Sequence, residues 1–213
     1  MLKKPSLQQE QTTVCVELDT DATGHSKQNK RYFIHKAFLC FYSPFFTVWS
    51  TNPKSTDVIV IEGISHEAFG IFVHWIYYQD LKSLDITPSF NDMIRAWNMS
   101  ASIGVPVLQN SAMDWLHEEA FLDSLTKNKQ ELHWGEIFKT ANQAASTALL
   151  DFCAICWRLR KTTSWLHKWW SIPSPAMMAD VILRKTQCAS DPEVSALLPV
   201  SKYRIPIPAP ADN

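Results

Sequence analysis

The spacing of apolar residues changes along this chain, and the change predicts its elements. Thr12 to Leu18 (Thr-Thr-Val-Cys-Val-Glu-Leu) is rich in β-branched residues and predicts a strand. A polar loop, Asp19 to Lys30, follows, and Arg31-Tyr-Phe-Ile-His35 is placed to pair back as a hairpin partner. Asp57-Val-Ile-Val-Ile-Glu62 predicts a third strand, whose nearly continuous apolar run implies burial on both faces.

After Ser65, a good N-cap, the period becomes helical. Phe69, Phe72, Val73, Ile76 and Tyr77 follow i, i+3, i+4, i+7, i+8 spacing. A second helix is expected from about Ser89 to Ile103, with Phe90, Met93, Ile94, Trp97 and Ala101 on one face and Gly104 at its left-handed end. Pro106 suits the first turn of a third helix carrying Val107, Leu108, Ala112, Trp115 and Leu116. Beyond residue 124 the strand signals stop. Helical patterns cover Leu132–Ser146, Thr147–Arg160 and Ser174–Gln187, and the tail from Cys188 holds five prolines. The expected organisation is a mobile N-terminus (1–11), an α+β domain (12–124), an all-helical extension (125–187) and an extended or disordered proline-rich tail (188–213).

Composition narrows the class. Apolar residues make up 46% and charged residues 19%, enough for a packed core, and the net charge of −1 gives no overall pull towards nucleic acid or anionic membrane. Five cysteines at irregular spacing do not make a disulfide framework and fit a reducing compartment. The polar N-terminus lacks the apolar core of a secretory signal, and the longest apolar run, Ala148 to Trp157, is interrupted by Asp151. An intracellular location, in cytoplasm or nucleus, is the expectation, and there the sequon Asn98-Met-Ser100 would be silent.

The element order and several local motifs resemble the BTB/POZ family. The residues that carry the likeness are Phe33-Ile-His35-Lys36, Leu39-Cys40 and Ser43-Pro-Phe-Phe46. They are followed by Val58-Ile-Val-Ile-Glu62, Glu67-Ala-Phe69 with Trp75-Ile-Tyr77, and Trp97 through Asn110. The wording is most similar to single-BTB proteins of fungi, and the likeness spans roughly residues 12–120. It implies a short three-stranded sheet with helical hairpins, and a non-catalytic module that binds protein. The implied partner is a second copy or another BTB protein. In that family the dimer surface uses the first helices and the segment leading into them. Here this implicates Ile34, His35, Lys36, Phe38, Leu39, Phe41, Tyr42, Phe45, Phe46 and Trp49. Phe33 and Leu39 are expected to pin the hairpin to the first helix, and His35 to pack at the strand-to-helix junction.

Two departures bear on partners. Gln11 and Thr12 stand where many members carry an aspartate that completes a charged pocket with the residue matching Lys36. Ser50-Thr-Asn-Pro-Lys-Ser-Thr56 lacks the glutamate turn common in members that recruit a cullin scaffold. Adaptor work for a cullin-type ubiquitin ligase is therefore a weaker reading than dimerisation, as is a transcription or chromatin-linked role, for which this chain offers no zinc finger or other DNA-binding motif.

Candidate chemistry adds little. Cys153-Ala-Ile-Cys156 sits inside an apolar helical pattern, without the further ligands of a zinc site or the strand-then-helix setting of a redox pair. His66 and His74 share a helix face without a third ligand, and no nucleotide-binding or nucleophile motif is present. No cofactor, metal or small-molecule substrate is expected. The most unusual stretch runs from Trp157 to Trp170. Trp157, Arg158, Arg160, Lys161, Trp165, Lys168 and Trp169 make a basic, tryptophan-rich run with no acid. Tryptophans anchoring the extension while the cations reach outward is the bland reading; a second protein-docking surface is the functional one, ahead of membrane or nucleic acid.

Overall fold

A computed structural model describes residues 5–8, 12–19, 30–52, 58–125, 137, 139–141, 149–150, 152–153 and 204–207, with the side chains of 120–125 set aside. Eight elements follow in order: β1 (Thr13–Asp19), β2 (Lys30–His35), α1 (Lys36–Tyr42), α2 (Pro44–Thr51), β3 (Val58–Glu62), α3 (His66–Tyr78), α4 (Phe90–Ser102) and α5 (Pro106–Leu125). The chain divides into two compact units, one of residues 1–112 with 205–213 and one of 113–204.

In the first unit the sheet order is β2-β1-β3, with β2 antiparallel and β3 parallel to the central strand. Val14, Val16 and Leu18 of β1 point inward with Ile34 of β2 and Ile59 and Ile61 of β3, and all six are buried. The opposite face is open. Cys15 sits between Phe33 and Val58 in register, and Glu17 between Arg31 and Val60, with an Arg31–Glu17 ion pair at 3.1 Å.

Two expectations are corrected here. β3 is not buried on both faces: Val58 and Val60 are 42% and 60% exposed, because β3 is an edge strand whose sheet is covered on one side only. Phe33 is not the pin between hairpin and helix. It is 73% exposed, and Ile34, paired with buried Val14, takes that role at 1%. With a period of two, only one of two adjacent apolar residues can face the core.

The helices form where capping chemistry starts them. Ser43, Ser65 and Ser89 each accept a hydrogen bond from a first-turn N–H, of Phe46, Ala68 and Asp92 respectively. Gly104 adopts φ +70° just past α4, and Pro106 opens α5. α3 packs on α4, burying Phe69, Phe72, Trp75 and Ile76 against a core that includes Met93, Ile94 and Trp97. Ala101, expected on the packed face of α4, is exposed instead, since the last turn of that helix buries Met99 and Ser100; Val107 on α5 is 40% exposed. In the second unit the described positions of 137–153 are helical, with Ile137, Ala141, Leu149, Phe152 and Cys153 buried. Arg204 there reaches both carboxylate oxygens of Asp114, at 2.8 and 3.0 Å.

Candidate interaction surface

The segment from β2 through α2 is fixed from beneath by a few specific bonds. The Lys36 N–H donates to the Thr12 carbonyl at 2.8 Å, tying the start of α1 to the chain entering β1. The His35 N–H donates to Tyr77 Oη at 3.2 Å, and His35 Nδ1 lies 2.8 Å from the same oxygen. Both contacts are satisfied when the phenol donates to Nδ1, which puts the ring proton on Nε2. Ser43 makes the second anchor. Its hydroxyl donates to the Ile103 carbonyl at 2.7 Å while accepting from Phe46 N–H, and the residue is fully buried. One serine therefore caps α2 and satisfies an end carbonyl of α4. Gly104 sits beside it, and a Cβ there would stand 3.3 Å from Pro44 Cδ.

Ten residues were expected on the dimer surface, and the structure divides them. Ile34, Phe38, Leu39 and Phe46 are buried, with Phe46 stacked 6.0 Å from Phe72 and Phe38 lying 5.0 Å from Tyr77. They support the segment and are not available to a partner. His35, Lys36, Phe41, Tyr42 and Trp49 are half-buried, and Phe45 is exposed. Tyr42 meets Trp75 edge-on at 5.2 Å, and the Lys36 ammonium stands 5.8 Å above the Trp49 ring. Sequence reasoning missed Val48, which is 71% exposed on α2, four residues after Pro44 and three after Phe45. The signal was present, because no residue from Ala37 through Asn52 carries a charge.

Residues 7–98 match the family model of the BTB/POZ domain. Those residues form a BTB/POZ domain. The sheet and the helices through most of α4 lie inside the match, and the BTB fold places the domain among protein–protein interaction modules. No curated protein matches the chain, so the likeness to fungal single-BTB proteins acquires no named relative.

Other candidate residues fall into place around this BTB domain. His66 and His74 have separate partners: His66 Nδ1 lies 3.5 Å from Tyr32 Oη, and His74 Nε2 lies 3.0 Å from Ser83 Oγ. Burial, with Lys30 nearby, pushes the His66 ring below its ordinary value, and Glu67 partly opposes the shift. Among the described residues no group of His, Cys, Asp and Glu could hold a metal ion, and no helix is long and apolar enough to cross a membrane. Cys153 is fully buried in the second unit, which pushes its thiol up to about 12. Cys156, the basic tryptophan-rich run 157–170 with its proposed docking residues, and residues 53–57 lie outside the described residues.

Proposed function

We propose that the BTB domain of this chain works as a non-catalytic dimerisation module, pairing with a second copy through the outward side of β2, α1 and α2. The contributing residues are His35, Lys36, Phe41, Tyr42, Phe45 and Trp49, joined by Val48. The observation that carries this reading is the chemistry of α2. Phe46 faces the core, Phe45 and Val48 face solvent, and the helix has no charged residue. Apolar side chains on the outer face of a helix without charges favour an interface over a purely structural role. Fully burying an exposed valine or phenylalanine side chain is worth roughly 1.5–3 kcal/mol, and association must first offset the lost freedom of two molecules, so a reversible dimer rather than a tight one is expected.

Sedimentation velocity over a dilution series tests the reading. A boundary that moves from monomer to dimer as concentration rises to roughly tens of micromolar is expected. A single monomer boundary throughout would reject self-association.

A further inference from the structure

Asn110 lies on α5 within the first unit, and its carboxamide pairs with one residue of the proline-rich tail. Nδ2 donates to the Ile205 carbonyl at 2.9 Å, and the Ile205 N–H donates to Oδ1 at 2.7 Å. One side chain therefore reads both polar groups of a single main-chain residue 95 positions away. This two-bond pattern copies the hydrogen-bonded pair of an antiparallel ladder, with the carboxamide in place of a second strand. The sequence around the read residue suits the role. Pro206 biases Ile205 towards extended backbone, where N–H and C=O of one residue point the same way, and proline itself offers no N–H to compete. Ile205 is half-buried, while Arg204, Pro206 and Ile207 are exposed. Arg204 is ion-paired with Asp114 inside the second unit.

We infer that Asn110 marks a docking point on α5 for an extended peptide whose read residue precedes a proline, and that its occupant is this chain's own C-terminal segment at Ile205. Recognition is through the main chain, so a read residue must own an N–H, whereas its side chain can vary. The tail is then a strap tied at a defined point. This inference is independent of the dimerisation reading.

The test uses the full chain, isotope-labelled at isoleucine and asparagine, with amide exchange followed by nuclear magnetic resonance. In the unaltered protein the Ile205 amide exchanges on the order of tenfold more slowly than in Asn110→Leu, which keeps the approximate size but can neither accept from the Ile205 N–H nor donate to its carbonyl. Slow exchange of the Ile76 and Ile94 amides, within the packed helices α3 and α4, shows in both proteins that the domain remains folded. Equal exchange at Ile205 in the two proteins overturns the docking point. Protection that survives a roughly fifty-fold dilution assigns the tail to its own chain, whereas protection lost on dilution assigns it to a second copy and overturns the inference as stated. Should Asn110→Leu fail to fold, Ile205→Pro removes the read N–H and leaves α5 unaltered. The Asn110 side-chain resonance then moves to its solvent-exposed position, and an unmoved resonance rejects the pairing.

Discussion

Helices α2 and α4 start alike and face solvent differently. Each opens on a serine whose hydroxyl accepts a first-turn N–H, from Phe46 at 3.5 Å and from Asp92 at 3.1 Å. Each drives an aromatic residue into the core, Phe46 in one and Trp97 in the other. On α4 the remaining positions are Asn91, Asp92, Arg95, Asn98 and Ser102 with the small Ala101, so its composition is accounted for by packing one face and hydrating the other. On α2 the outward positions include Pro44, Phe45 and Val48. The fold explains why α4 has its sequence; for α2 it explains only half.

The sharpest way to separate the two halves of α2 is to truncate its neighbouring phenylalanines one at a time. Phe46→Ala leaves a cavity beside Phe72 and should cost about 3–5 kcal/mol in urea unfolding. Ser43→Ala removes the α2 cap and strands the buried Ile103 carbonyl, which should cost about 1–3 kcal/mol and destabilise both helices together. Gly104→Ala asks a side chain to adopt φ +70° against Pro44, at a cost of about 1–2 kcal/mol. Phe45→Ala, by contrast, should change monomer stability by less than about 1 kcal/mol. A large loss there would mean that Phe45 is structural, and the contrast between the faces would fail.

The smallest expected effect is a pH dependence at His66. Its folded ring holds a proton less well than the unfolded ring, whose ordinary value is 6.5. Stability is therefore fully present above that value and declines as pH falls through the interval below it, since the unfolded chain takes up the proton first. Urea midpoints measured across that interval should fall less steeply in His66→Gln than in the unaltered protein. Identical slopes would remove His66 as the source.

What could be read from sequence was local chemistry. Ser65 as a cap, Pro106 in a first turn and Gly104 at a helix end each act on neighbours a few residues away. Choices settled by distant partners were harder. Phe33 and Ile34 are both apolar, and only the pairing of Ile34 with Val14 decides which one turns inward. The run Val58-Ile-Val-Ile61 has no polar alternation to reveal its exposed side, which follows from the place of β3 at the sheet edge. Within the segment proposed for dimerisation, four of the ten expected residues are buried and exposed Val48 was not among them, because burial within a short helix depends on what packs beneath it. The pairing of Asn110 with Ile205 gave no local signal at all.

The central claim is that the apolar outer face of α2 exists for association. It is tested most directly by placing the same charge on each of the two helices compared above. Val48→Lys puts an ammonium on the proposed interface, and Ala101→Lys puts one at the exposed C-terminal end of α4, where the helix dipole tolerates it. Sedimentation equilibrium should show Val48→Lys weakening the dimer by about a hundredfold or more, with Ala101→Lys associating like the unaltered protein. Equal dimerisation of all three proteins, or a loss caused equally by both substitutions, would contradict the account.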